Sequence, residues 1–461
     1  MKQSSHKEFS KNKIYTMEIT GLTHDGQGVG KLDGFVVFAD NVLIGETVQI
    51  RIAKQTKSYA VGSIIKIEKA SDKRVKPFCS VFDKCGGCSM QHMSYEEQLK
   101  FKADTVRQSL KRIGGLENVH VNDTIGMDTP FYYRNKVQYP VAANKTGLQI
   151  GFYEKSSHNI IDSNECKIQP DESNKIRDTI RDFCKNKFVT IYDEKTGKGL
   201  LRHVIVRTGF KTGEIMVVLV INGQKLPHSD ELIKLLLEKH TGICSIILNV
   251  NTRNTNIILG DKNICIYGRE YISDYIGKYK FNISPLSFFQ VNPIQTEVLY
   301  GKALEYAGLT GDETVFDLYC GIGTISLFLS EKAKKVIGVE VVPEAIADAQ
   351  KNAALNGITN VDFIAGEAEK IIPQLYKEGV HADVVVVDPP RKGCDQALLN
   401  TIADMQPLKV VYVSCNPSTL ARDVKFLCEN GYEVKNVQPV DMFGWTGHVE
   451  CCALIERKPH E

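Results

Sequence analysis

Cys79, Cys85 and Cys88 follow one another as C-x5-C-x2-C, close enough in sequence to converge on one metal centre. Between the last two, Gly86-Gly87 lets the backbone wrap closely around such a centre. Three thiolates need a partner, and Cys166 in SNECKIQP is the leading fourth ligand. Four sulfurs suit either zinc or an iron-sulfur cluster, and thiolate count does not separate the two. The C-x3-C-x2-C triplet expected of a radical enzyme is absent. Unligated, buried cysteines are the plain alternative. A different thiol, Cys415, ends the apolar run VVYVS inside Ser414-Cys415-Asn416-Pro417. At the carboxyl edge of a sheet it can act as a nucleophile if neighbouring dipoles lower its pKa, or serve as a small core residue. Downstream, Asp441 to Glu450 (DMFGWTGHVE) carries polar groups back toward a sheet edge.

A second constellation suits a nucleotide-like ligand. Asp317 to Thr324 (DLYCGIGT) ends a predicted strand and opens a helix, where open α/β sheets bind such ligands, although the full G-x-G-x-x-G is missing. Glu340 closes VIGVE, 23 positions after Asp317, where a carboxylate can accept hydrogen bonds from both ribose hydroxyls or cap a helix. Gly366-Glu367-Ala368-Glu369, at a third strand end, is placed to border an adenine ring. Glycine loop, acid and third loop together favour S-adenosylmethionine over a dinucleotide. Asp388 opens the rigid turn Asp388-Pro389-Pro390-Arg391, whose prolines hold it at the carboxyl edge of the sheet. There it can meet the cofactor or the imide edge of a pyrimidine.

These groups need a scaffold. After Ser284, strands alternate with helices (VFDLYC, VIGVE, VDFIAG, ADVVVVD, VVYVSC), which predicts a doubly wound, Rossmann-like α/β domain over residues 276–461. Residues 69–275 carry the cysteines and read as an α+β middle region, with strands at Val204 to Thr208, Ile215 to Ile221 and Ile246 to Val250 and one clear helix near Asp230 to Glu238. Ser94 to Arg112 predicts a helix with Leu99, Val106, Leu110 and Ile113 on one face, stopped by Gly114-Gly115. Residues 1–68 show short alternating strands between glycine-rich breaks such as GQGVG, the pattern of a small barrel. The basic stretch RIAKQTKSYA gives that barrel a face that can track an RNA backbone or simply be solvated. The segment resembles a TRAM domain, an OB-like RNA-binding module.

The 461 residues exceed one ordinary domain, and 43% hydrophobic with 24% charged residues excludes wholesale disorder. Net charge is only +2, yet residues 1–136 hold 21 Lys and Arg against 15 Asp and Glu, so the basic excess lies at the front. MKQSSHKEFSKNK has no apolar signal region and no apolar run is long enough to span a bilayer, which predicts a cytoplasmic protein without a membrane partner. Thirteen unevenly spaced cysteines do not form a secreted disulfide framework, leaving metal binding or catalysis.

FFQVN (Phe288 to Asn292), DLYCGIG, DPPR, SCNP and DMF…TGHVE, with C-x5-C-x2-C and Cys166, resemble the RNA uridine-C5 methyltransferase family over nearly the whole chain. Among its members the chain is most similar to bacterial 23S rRNA (uracil-5-)-methyltransferases with a TRAM domain and a [4Fe-4S] cluster. The resemblance implies that Cys79, Cys85, Cys88 and Cys166 ligate the cluster. It implies that Gln290, Tyr319, Glu340 and Asp388 contact S-adenosylmethionine, that Cys415 is the nucleophile and that Glu450 is the base. The implied partner is RNA, with 23S rRNA expected, and no obligate protein partner is inferred. A tRNA uridine-C5 methyltransferase would share every catalytic residue, and a noncatalytic RNA-binding or assembly protein is the rival of another class. The resemblance also suggests that the helix from Ser94 packs on the catalytic domain. One departure stands out: the family commonly has proline after DMF, whereas Gly444 and Trp445 stand here, which suggests a looser loop or one shaped for another substrate. The chemistry joins these groups. Uracil C5 is a poor nucleophile, so a thiolate adds to C6, the resulting enolate takes the methyl group at C5, and a base removes the C5 proton. A stacked base cannot react in this way, so the target is expected to be flipped out.

Overall fold

Alternation closes the first unit. In the computed structural model, which describes residues 9–459 apart from 11–12, 145–146 and 164, strands β1 (Ile14–Leu22), β2 (Gly28–Leu32), β3 (Phe35–Ala39), β4 (Thr47–Gln55) and β5 (Tyr59–Lys69) form a closed barrel. Val48, Ile50 and Ile52 of β4 point inward to meet Met17, Ile19, Val37 and Ala60, while Arg51, Lys54 and Lys57 stay exposed. The GQGVG break is in part a strand. Its Gly28 and Gly30 lie in β2 because a Cβ would fall 2.1 Å from Val42 Cγ2 and 2.6 Å from the Glu18 carbonyl oxygen. Buried Glu46 takes both arms of the Arg74 guanidinium, at 2.6 and 2.7 Å, and so ties the barrel to the chain that follows.

The cysteine loop leads into α1 (Tyr95–Arg112) and then into the middle region. That region contains β6 (Lys136–Asn144), β7 (Gly147–Ile150), the short pair β8 (Phe152–Tyr153) and β9 (Ile160–Ile161), α2 (Asp171–Asn186), β10 (Leu201–Thr208), β11 (Ile215–Ile221), α3 (Ser229–Lys239), β12 (Ile243–Val250) and β13 (Lys262–Gly268). The six longer strands form one sheet in the order β13-β12-β11-β10-β6-β7. Every residue of β11 is buried because both faces are covered. Val217, Leu219 and Ile221 pack with α2 and α3, whereas Met216, Val218 and Val220 join the core of the C-terminal domain. Sequence reading did not anticipate α2. Its apolar stripe of Ile176, Ile180, Phe183 and Cys184 has helical spacing but is embedded in the polar stretch DESNKIRDTIRDFCKN.

The C-terminal domain starts with the hairpin β14 (Ile272–Ile276) and β15 (Tyr279–Ile283), followed by α4 (Pro293–Ala307). Next come β16 (Thr314–Leu318), α5 (Thr324–Leu329), β17 (Lys335–Glu340), α6 (Pro343–Leu355), β18 (Val361–Ala365), α7 (Ala368–Lys377), β19 (Val384–Val387), α8 (Gln396–Met405), β20 (Lys409–Ser414), α9 (Pro417–Glu429), β21 (Tyr432–Val440) and β22 (Glu450–Arg457). The sheet order is β18-β17-β16-β19-β20-β22-β21, so the winding reverses between β16 and β19. Strands β16 to β20 are parallel, as read from sequence, but β22 inserts antiparallel between β20 and β21. This departure from a wholly parallel sheet matters. The first residue of an antiparallel β22 lies at the same sheet end as the last residue of β20, and Ser414 pairs with Cys451 there.

Helix α1 packs on α9 and β21, with Val106 and Leu110 in one core with Leu420, Val424 and Val437. Ile113, expected on the buried face, lies past the helix end and is 44% exposed. Among the described residues no helix is long and apolar enough to cross a membrane.

Candidate active site

A cavity of about 2030 Å³ opens at the carboxyl ends of the parallel strands, and Gln290, Tyr319, Glu340, Asp388, Cys415 and Glu450 all line it. Its glycine loop is held in a left-handed course, with Tyr319, Gly321 and Gly323 at φ of +66°, +56° and +81°. At Gly323 a Cβ would come within 2.8 Å of Phe363 Cζ. The loop hangs from β17, since the Tyr319 and Cys320 N–H groups donate to the Val339 carbonyl at 2.8 and 3.1 Å. Glu340 accepts the Gly321 N–H at 3.2 Å and the Val342 N–H at 3.0 Å, so its carboxylate steadies both the loop and the start of α6 while lining the cavity. Tyr319 Oη donates to Glu369 at 3.1 Å. Behind the loop, burial pushes the Asp317 carboxyl up to about 7, with Ser326 donating to one of its oxygens.

On the other side of the reversal, the Asp388 N–H donates to the Leu318 carbonyl at 3.2 Å. Burial pushes its carboxyl up to about 7. Tyr300 was not singled out in the sequence. It is buried on α4 with its hydroxyl 3.2 Å from Thr324 Oγ1, beside Asp388 and Gln290. Its only sequence signal is a polar-tipped aromatic on the helix that follows FFQVN. Arg391, His448 and His24 also line the cavity without having been assigned there, the last from the barrel's β1–β2 loop. The barrel approaches closely: a Cβ on Gly447 would meet the His24 carbonyl oxygen at 2.7 Å.

Asn416 donates to the Arg391 carbonyl at 3.1 Å and accepts the Ser418 N–H at 3.0 Å, joining the Asp388 turn to the cap of α9. Beside it, burial first, and then the negative charges of Glu450 and Asp388, push the Cys415 thiol up to about 11, with Arg391 acting in the opposite sense. The lowering by dipoles on which the sequence made a nucleophilic role conditional is therefore not what the structure provides, and at neutral pH the resting thiol keeps its proton. Burial, with Asp388 adding to it and Arg391 opposing, also raises the Glu450 carboxyl well above the usual carboxylate range.

Residues 441–449 join β21 to β22. Fully buried Asp441 accepts from Tyr95 Oη at 2.6 Å and Lys102 Nζ at 2.5 Å, and Lys102 also donates to the Phe443 carbonyl at 3.0 Å. Tyr133 Oη donates to the Gly444 carbonyl at 3.0 Å, and the Trp445 indole N–H donates to the Pro130 carbonyl at 2.6 Å. The Gly444-Trp445 departure does not loosen this loop, because the indole anchors it.

Cys79, Cys85, Cys88 and Cys166 line one smaller cavity of about 220 Å³, which shares Gly87, Cys88 and Arg134 with the larger one. None is cross-linked. Burial, with added repulsion between the sulfurs, raises Cys88 to about 12, and burial raises Cys166 to about 11. Among the described residues, no three or more His, Cys, Asp or Glu side chains form a group that could hold a metal ion.

Comparison with known proteins gives this geometry a context. Residues 9–65 match the TRAM domain and residues 95–458 match the family described as tRNA (Uracil-5-)-methyltransferase. A protein described as an uncharacterized RNA methyltransferase from Clostridium tetani is 54% identical over 96% of this chain and 96% of its own. One described likewise from Halalkalibacterium halodurans is 52% identical over 97% of this chain and 98% of its own. Among solved structures, Pyrococcus abyssi tRNA (uracil-54, C5)-methyltransferase in complex with S-adenosyl-L-homocysteine is similar, with a TM-score of 0.77 and 30% identity over 96% of this chain and 100% of that one. With a TRAM barrel in front and the family match running from α1 to the last strand, the chain belongs to the tRNA (uracil-5-)-methyltransferase family.

Proposed function

We propose that this protein methylates uridine at C5 in RNA with S-adenosylmethionine as methyl donor, that 23S rRNA is the substrate, and that it works in the cytoplasm. The observation that carries the reading is convergence: Gln290, Tyr319, Glu340, Asp388, Cys415 and Glu450, scattered over 161 positions of sequence, line one cavity where the sheet winding reverses. In this reading Gln290, Tyr319, Glu340 and Asp388 hold the methyl donor, which supplies an electrophilic methyl group. Cys415 adds to C6 of the flipped uracil, and Glu450 removes the C5 proton after transfer. The Cys415 thiol, held near 11, must lose a proton before it adds, and the upward shift of Glu450 makes its carboxylate a stronger base for the C5 proton. Asp388, beside Cys415 and held near 7, is well matched to accept the Cys415 proton at neutral pH.

Cys79, Cys85, Cys88 and Cys166 would hold the [4Fe-4S] cluster. The four thiols are not drawn together as they would be around a single ion, but a four-iron cluster sets its thiolates wider apart, and four thiols around one cavity match it in ligand type and number. Anaerobic protein should then contain iron and sulfide. A second reading, tRNA as substrate, is favoured by the full-length likeness to the Pyrococcus abyssi tRNA (uracil-54, C5)-methyltransferase. Mapping 5-methyluridine in ribosomal and transfer RNA from a strain lacking the protein decides between the two.

The catalytic roles are tested by where each variant stops. Cys415→Ala should give neither methylation nor a covalent RNA adduct, because the first bond cannot form. Glu450→Gln should add the thiolate and transfer the methyl group but stall before elimination, so a denaturation-resistant protein-RNA complex accumulates. Denaturing gels with labelled RNA read both. Full turnover by folded Glu450→Gln, or an adduct in Cys415→Ala, would overturn the assignment.

A further inference from the structure

Trp445 is the single tryptophan of the chain and stands where two loops meet. Its buried ring lies against Phe78, Phe131 and Tyr95 with centroids 5.0, 5.3 and 5.6 Å away, and Cys88 and Cys166 border the same cluster. Its carbonyl accepts the N–H groups of Ser89 and Met90, each at 3.0 Å, and these are the two residues that follow Cys88. Its own N–H donates to Gln98 Oε1 at 3.0 Å, while Gln98 Nε2 donates to the Met90 and Met93 carbonyls at 3.1 and 2.9 Å. One glutamine on α1 thus clasps both loops. Trp445 also holds φ at +67°, a conformation that a bulky residue keeps only where its surroundings over-determine it. On its far side, Phe443, Thr446 and His448 of the same loop line the active-site cavity beside Glu450.

We infer that Trp445 is a positioning residue that couples the four-cysteine loop to the wall of the active-site cavity. The inference rests on the reading of the four cysteines as cluster ligands. A loaded centre fixes Cys88 and therefore the Ser89 and Met90 N–H groups that hold the Trp445 carbonyl. With the thiols free, that segment keeps the Gln98 clasp but loses its second anchor, the left-handed turn at Trp445 relaxes, and the loop beyond Asp441, itself still held by Tyr95 and Lys102, loosens. Packed loops of this kind switch between discrete arrangements rather than bending gradually.

The test compares the full-length protein with its cluster and after chelation under oxidising conditions. It reads the wavelength of tryptophan emission, since a bound cluster changes intensity in any case, and amide hydrogen exchange over residues 441–450. Stripping should shift emission to the red and speed exchange in that segment by about tenfold or more, as local opening becomes accessible. In Trp445→Ala the segment should exchange fast whether loaded or stripped, and kcat at saturating RNA should fall about ten- to a hundredfold, the scale of a small misplacement at a reacting site. Trp445→Phe keeps a ring in the cluster and should restore part of both. If Trp445→Ala does not fold, Trp445→Phe and the wild-type pair still decide. Iron-bearing wild-type protein whose emission wavelength and exchange do not change on stripping overturns the coupling while leaving the ligand assignment intact. Anaerobic protein without iron and sulfide overturns the ligand assignment and the coupling with it.

Discussion

In the proposed mechanism, Cys415, Asp388 and Glu450 set a proton inventory that would govern how the rate depends on pH. A thiol held near 11 offers roughly one thiolate in ten thousand molecules at pH 7, so unassisted addition would be slow. If Asp388 accepts the thiol proton, single-turnover adduct formation should rise through pH 7 and level off above about 8, following ionisation of a group near 7. Asp388→Asn should remove that inflection and leave a slow rate that climbs about tenfold per pH unit toward the thiol's own value. Rapid-quench measurement from pH 6 to 9 reads both curves, and an unchanged inflection in the variant would exclude Asp388 as the acceptor. The identity of these groups was legible in DPPR, SCNP and TGHVE, but their protonation was not. The sequence left open whether neighbouring dipoles lower the Cys415 pKa, and only the three-dimensional neighbourhood, burial first and then the nearby Glu450 and Asp388, gives the upward shift.

Helix α1 shows the same divide at the level of an element. Its limits were readable, and so was part of its apolar stripe, since Val106 and Leu110 are buried as their spacing predicts while Ile113 lies past the helix end. Gln98 and Lys102 follow no apolar period, yet both are fully buried, because their partners are Trp445, Met90, Met93, Asp441 and Phe443 rather than water. Long-range polar pairing leaves no periodic trace. Removing one member of a buried pair leaves the other uncompensated, so Lys102→Met should lower unfolding stability by about 3–5 kcal/mol. Lys100→Met, which removes only an exposed partner 3.7 Å from Glu97, should change it by less than about 0.5 kcal/mol. Denaturant titration of both variants distinguishes them, and equal effects would mean that the Lys102–Asp441 pair contributes nothing beyond a surface contact. Strand β2 and helix α2 were missed for related reasons. Glycines in β2 mark close approach to Val42 and Glu18 rather than a break, and the stripe of α2 is narrow within a polar segment.

At the scale of the whole molecule, the barrel does more than extend the surface. Its His24–Gln27 loop lines the same cavity as Cys415 and Glu450, while Arg51, Lys54 and Lys57 are exposed on its strands and turn. If those cations meet RNA phosphates, replacing all three by Ala should reduce the slope of log affinity against log salt by about 2, at roughly 0.7 per lost contact to single-stranded RNA. Affinity for S-adenosylmethionine, held on the far side of the cavity in the proposed arrangement, should not change. Filter binding across a salt series checks the first expectation and calorimetry the second, and an unaltered slope would make the barrel's basic face a solvated one. The N-terminal barrel and the wound sheet were readable from changes in pattern, but the shared cores were not. A fully apolar β11 does not disclose that its two faces serve different domains. The buried Lys102–Asp441 pair spans 339 positions of chain, which has a consequence for biosynthesis. At about 5–20 residues per second, ribosomes complete the second partner roughly 20–70 seconds after the first. Until Asp441 is made α1 exists without the acid that pairs with its lysine, and for most of that interval without α9 to cover Val106 and Leu110. The nascent chain therefore carries an unsatisfied amphipathic helix until α9 and Asp441 have been made, and α1 finds its final contacts only after the chain between them.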